Sequence, residues 1–108
     1  MESAARIREL NDTFRQTFVG GQVMLTAGVN ALPDADKATV LSKVRTFDAF
    51  NGDNDPHGEH DFVSFEHDGV KYFAKMDYFD PDMCHGSEDP ADPAKTVRVL
   101  TVMRADEY

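Results

Sequence analysis

Ile7, Leu10, Phe14 and Phe18 recur three and four residues apart, while Arg6, Glu9, Asp12 and Arg15 fall on other faces. That is the pattern of a helix with one buried stripe. The helix is expected over residues 4 to 19, with Ser3 as its N-cap and Gly20-Gly21 as a left-handed stop. Residues 22 to 27 are short, β-prone and closed by Gly28, which predicts a strand. Asp34 follows Leu32-Pro33 and predicts the cap of a second helix, with Val40, Leu41, Val44 and Phe47 inward and an end near Phe50.

Residues 62 to 66 and 70 to 79 are β-prone runs on either side of Asp68-Gly69. Two residues of that kind predict a tight hairpin, because both central positions of a type I′ turn need positive φ. Residues 96 to 104 alternate Val97, Val99, Thr101 and Met103 against Arg98, Leu100, Val102 and Arg104, apolar on both faces at the centre. Such a strand belongs in the interior of a sheet. The fold class expected is α+β: two helices on one face of a mainly antiparallel sheet of about four strands, in the order αβαβββ. The last three strands form a meander, residues 22 to 27 lie at an edge or beside the C-terminal strand, and Phe14, Val44, Phe73 and Leu100 are the expected core.

At 108 residues the chain is expected to be one domain, residues 1 to 108, large enough to bury a two-layer core. It has no apolar run long enough to span a bilayer, and its N-terminal stretch carries acids where a secretory signal has an apolar segment. With a single cysteine, Cys84, these features predict a cytoplasmic protein. The net charge of −9 is unevenly placed. Residues 1 to 50 are balanced, with six basic and six acidic side chains, whereas residues 51 to 108 carry five basic and fourteen acidic ones. Such a field repels phosphate, so direct nucleic-acid binding is disfavoured and a basic protein, or one whose groove holds nucleic acid, is the expected partner.

The acid gathers in two loops. Residues 51 to 61 read NGDNDPHGEHD, with Asp53, Asp55, His57, Glu59, His60 and Asp61 within eleven positions, and Pro56, Gly52 and Gly58 exclude regular structure there. Residues 80 to 95 read DPDMCHGSEDPADPAK and add Asp80, Asp82, Asp89 and Asp92. Four of the five prolines follow aspartate, and each Asp-Pro pair predicts a stiff local turn, so both loops should be ordered. The hairpin turn lies at the far end of its strands, which places the end of the first loop and the start of the second at one edge of the sheet. Together they form the candidate binding surface.

Two kinds of chemistry compete with docking at that surface. Asp55, His57, His60 and Asp61 offer nitrogen and oxygen donors that suit a divalent metal, as cofactor of a small metal-binding protein or hydrolase. The H-E-x-x-H order is absent, and a calcium loop starting at Asp53 would have Ser64 where its bidentate glutamate belongs. Glu59, His60 and Asp61 could serve acid/base catalysis, but neighbours on an extended chain point to opposite faces. Cys84-His85 sits among Asp80, Asp82, Glu88 and Asp89, a field that opposes thiolate formation. No nucleophile motif or phosphate-binding loop accompanies these residues, so a non-enzymatic role is favoured.

Taken together, RIRELNDTFRQTF (6 to 18), VMLTAGVNALP (23 to 33), DNDPHGEHDF (53 to 62) and DPADPAKTVRVLTVMRADEY (89 to 108) resemble a bacterial family of small proteins of unknown function. The resemblance implies a setting among plasmid and other mobile-element genes. It implies no activity, cofactor or catalytic residue.

Overall fold

The computed structural model describes residues 3–108. Helix α1 (Ser3–Thr17) leads into strand β1 (Gly21–Leu25), a single helical turn α2 (Ala27–Asn30) and helix α3 (Asp34–Thr46). Strands β2 (Phe62–His67), β3 (Val70–Phe79) and β4 (Val97–Arg104) follow, with 3-10 turns at Pro93–Lys95 and Ala105–Glu107. The sheet order is β1-β4-β3-β2. β2 with β3 and β3 with β4 are antiparallel, whereas β1 runs parallel to β4. The fold is therefore α+β with a mixed sheet. β1 is both an edge strand and the neighbour of the C-terminal strand, β4 is interior, and the last three strands form a meander.

Strand parity builds the core. Val63 pairs with Ala74, Ala74 with Val102, Met76 with Leu100, and Leu100 with Val23, so one face of the sheet is lined by these side chains. Phe14 from α1, Val29 from α2 and Val40 and Val44 from α3 close over them. Asp68 and Gly69 take φ 51° and 75°, as the hairpin turn requires.

Several local expectations need correction. Phe73 is only half-buried and lies on the opposite sheet face, where its ring sits 5.0 Å from Phe62 and 5.7 Å from Tyr108. Its apolar character was satisfied by that second aromatic cluster and not by the helices. Ser3 is itself helical, and Pro33, not Asp34, occupies the N-cap of α3. The left-handed stop of α1 begins at Phe18, at φ 59°, whose amide donates to the Phe14 carbonyl at 2.6 Å; Gly20 takes positive φ, 110°, as expected, and Gly21 already belongs to β1.

Two longer-range contacts explain the remaining differences. α3 ends at Thr46, short of Phe50, because the Arg15 guanidinium takes the terminal carbonyls of Val44 and Phe47, both at 3.0 Å. Arg15, expected outward, is therefore buried. The expected strand 22 to 27 stops at Leu25 because α2 begins. Glu107 from the C-terminal turn accepts the Gly28 amide at 2.8 Å, the Thr26 hydroxyl at 2.7 Å and the Arg104 amide at 2.9 Å. These bonds hold its carboxyl below the ordinary range. A Cβ on Gly28 would meet Glu107 and Arg104 at 2.7 Å, so the clasp demands glycine there.

Phe14 is 2% exposed at the centre of this core. Phe14→Ala is expected to cost about 3–5 kcal/mol in chemical denaturation. A loss under about 1 kcal/mol would place the stripe at the surface.

Candidate functional site

Loop 51–61 is built from its own side chains. The Asn51 side-chain oxygen accepts the amides of Asp53 and Asn54 at 2.9 and 3.1 Å, and the Asn54 amide group donates to the Ala49 carbonyl at 2.9 Å. Asp55 turns inward, its side chain 8% exposed, and accepts the His60 amide at 3.0 Å. Left-handed backbone at Gly58 and His60, φ 67° and 54°, swings the loop toward α1. There Arg8 donates to the Gly58 carbonyl at 2.8 Å and Asn11 to the Glu59 carbonyl at 3.0 Å.

His60 is clamped on three sides. Its ring stacks on Phe50 at 3.8 Å and 6°. Nδ1 lies 2.8 and 3.1 Å from the two oxygens of Asp12, and Nε2 lies 3.5 Å from Asp55 Oδ2. Asp12 in turn accepts from Arg15 at 3.0 Å. Asp12, Arg15 and His60 thus join α1, the end of α3 and the loop in one polar chain.

Loop 80–95 follows the same rule. Asp80 accepts the Cys84 amide at 3.2 Å, Asp89 the Ala91 amide at 3.2 Å and Asp92 the Ala94 amide at 2.9 Å. The aspartates of these Asp-Pro pairs stiffen their own turns as their chemistry suggests. Ser87 donates its amide to the Tyr78 carbonyl at 3.0 Å and shares a 2.7 Å bond with the Thr96 hydroxyl, closing the loop across its base. Asp80, Asp82, His85, Glu88 and Lys95 line a cleft of about 440 Å³ on its surface.

The two loops meet through a buried polar centre. Asn11, 0% exposed, donates to the Tyr78 hydroxyl at 2.7 Å and accepts from Arg98 Nε at 2.7 Å. Arg98 also donates to the Pro90 carbonyl of the second loop at 2.5 Å, and Tyr78 donates to Glu59 of the first at 3.1 Å. Burial, opposed by the Asn11 hydrogen bond and reinforced by Glu59 and Asp61, raises the Tyr78 hydroxyl well above its ordinary value. Burial lowers Arg98 from its ordinary value, and the nearby Glu59 carboxylate opposes that.

Of the expected site residues, Asp53, His57 and Asp82 are exposed, whereas Asp55, Glu59, His60, Asp61, Asp80, Asp89 and Asp92 are half-buried. The expected ligand set of Asp55, His57, His60 and Asp61 does not gather. Among the described residues, no three of the four bring one donor atom each within 4.8 Å of one another. The reason lies at His60, whose nitrogens face two carboxylates on opposite sides while His57 stands in solvent. Asn11, Arg98 and Tyr78 were not singled out, although Asn11 falls on the Ile7–Phe14 stripe and Arg98 shares strand parity with Leu100. A polar residue on a core face is the signal that finds them.

A family model described as "Protein of unknown function (DUF3768)" matches residues 25–107. The chain belongs to the DUF3768 family. The match takes in both acidic loops, α3 and strands β2 to β4, and begins after α1. No curated protein and no solved structure matches this DUF3768 chain significantly. Among the described residues, no helix is long and apolar enough to cross a membrane.

Two measurements test the polar centre. Asn11→Ala strands Arg98 Nε and the Glu59 carbonyl, and is expected to cost about 3 kcal/mol in urea denaturation. Amide exchange should quicken across 51–61 and leave the hairpin turn unchanged. Tyr78 binds its proton more tightly folded than unfolded, so its contribution is fully present below about pH 10 and is lost as pH rises through the folded value. Denaturation midpoints of the parent should therefore fall faster above about pH 10 than those of Tyr78→Phe. Parallel curves would mean that the hydroxyl is free in solvent.

Proposed function

We propose that this chain is a non-enzymatic docking protein whose acidic loops, 51–61 and 80–95, bind a basic protein surface of the kind that otherwise holds nucleic acid. The observation that carries this reading is the Asn11–Arg98 bridge, which ties the Glu59 carbonyl of one loop to the Pro90 carbonyl of the other. Loops fixed to one another lose little conformational freedom on binding, and that favours docking. Asp53, Asp82 and Glu88 face solvent and are the groups that meet the partner's Lys and Arg side chains. Asp55, Glu59, Asp80, Asp89 and Asp92 shape the surface beneath them, with His57, His60 and Asp61 alongside. The division of charge adds to this, since the whole net −9 belongs to residues 51–108.

His60 also argues for binding over acid/base catalysis. Both of its ring nitrogens are directed at carboxylates, which leaves none to exchange a proton with a substrate. A cytoplasmic protein of plasmid or other mobile-element origin, as the family resemblance implies, would meet host or plasmid nucleic-acid-binding proteins as its basic partners.

Changing Asp53→Asn, Asp82→Asn and Glu88→Gln together removes exposed charge and leaves the buried bonds in place. The parent chain should capture a basic protein at about 50 mM salt and release it by about 500 mM. The triple variant should capture at least tenfold less at equal thermal stability. Capture indifferent to salt and to these substitutions, or no enrichment of any basic protein, would overturn the reading.

A further inference from the structure

The far end of the sheet carries a different cluster. Asp36 lies in the first turn of α3, His67 ends β2, and Asp68 opens the hairpin turn. His67 Nε2 lies 3.0 Å from Asp36 Oδ1 and 3.5 Å from Asp68 Oδ2. All three donor atoms fall within 4.8 Å of one another. Unlike His60, which faces one carboxylate from each nitrogen, His67 presents a single nitrogen to two carboxylates. One N–H cannot serve both well, and the two like charges are drawn together around it.

The geometry points to a divalent-cation site at Asp36, His67 and Asp68, of the nitrogen-and-oxygen class that zinc takes. Zinc holds imidazole nitrogen and carboxylate oxygen at about 2.0–2.2 Å, and a tetrahedron with such arms sets its ligands about 3.4 Å apart. The two separations from Nε2, 3.0 and 3.5 Å, bracket that edge. An ion at this point would take the place of the Nε2 proton, with the two carboxylates closing on it from α3 and the turn. The site is centred on an imidazole whose side chain is 14% exposed, with Asp36 at 35% and Asp68 at 78%. The imidazole nitrogen favours zinc over magnesium or calcium, and the open outer side leaves the fourth position to water. Lys43 sits on the same helix but donates to the Glu66 carbonyl at 2.8 Å.

The ion would staple the first turn of α3 to the hairpin, at the opposite end of β2 and β3 from the acidic loops. The site is thus independent of the docking reading, and the two fail separately. The test is calorimetric titration of tag-free full-length protein with Zn²⁺ alone, together with the thermal midpoint with and without Zn²⁺. The parent should bind one ion and melt at a higher temperature when loaded. Asp68→Asn suits the comparison, because asparagine accepts the left-handed backbone at that position and leaves the Asp36–His67 contact in place. It should bind at least about tenfold more weakly. His67→Ala should abolish binding, while His57→Ala and His85→Ala leave it unchanged. No binding at about 100 µM Zn²⁺, affinity untouched by Asp68→Asn, or affinity that follows His57 or His85 would each overturn the proposal.

Discussion

The side chain of Asn11 is the constraint on which the rest of the molecule depends. It is fully buried, yet both ends of its amide are used: the nitrogen donates to Glu59 and Tyr78, and the oxygen receives Arg98. A buried amide and a buried guanidinium are each costly alone, and only their mutual satisfaction makes either tolerable. Because the partners come from α1, the first loop, β3 and β4, satisfying them sets helix, loop and sheet in one relative position. The Pro90 carbonyl then draws the second loop to the same centre. The apolar core says that α1 covers the sheet; the polar centre says where along it.

Much of the architecture was legible because it is periodic. The alternation in β4 gave an interior strand, Asp68-Gly69 gave the hairpin, and the Ile7–Phe14 stripe gave α1. Element ends were less legible because distant groups decide them. α3 stops where Arg15 takes its carbonyls, and β1 stops where Glu107 supplies an acceptor to Gly28, contacts spanning 29 and 79 positions of sequence. Phe73 shows a second limit. It was expected in the core on strand periodicity, yet alternation sets it on the face opposite Tyr72 and Ala74, where it packs with Phe62 and Tyr108. Arg15 illustrates the converse. Charge argued for solvent, and only carbonyls brought by another helix make its burial possible.

The acidic loops were visible from composition, but composition overstates their surface charge. Asp55, Asp80, Asp89 and Asp92 accept backbone amides of their own loops, and Glu59 accepts from Tyr78. These carboxylates hold the loops in shape, and a carboxylate that is hydrogen-bonded at home has less to offer a partner. Under the docking role proposed above, recognition at this edge would fall to a few solvent-facing groups on a fixed frame. Their spacing, more than the total charge, would distinguish one basic surface from another.

The two ends of the sheet use one device, an imidazole set against a helix aspartate, and differ in how many directions the imidazole faces. His60 divides its nitrogens between Asp12 and Asp55, so its two acceptors diverge and the ring becomes a strut between α1 and the loop. His67 turns one nitrogen to both Asp36 and Asp68, so its acceptors converge. Divergent acceptors suit a proton on each nitrogen, and convergent ones suit a single shared cation. The backbone decides between them. His60 holds a left-handed turn inside a loop, whereas His67 ends a regular strand with Asp68 in the turn beside it. Equal residue types in sequence thereby acquire unequal chemistry, and it is direction, not proximity in the chain, that separates a structural histidine from a ligand.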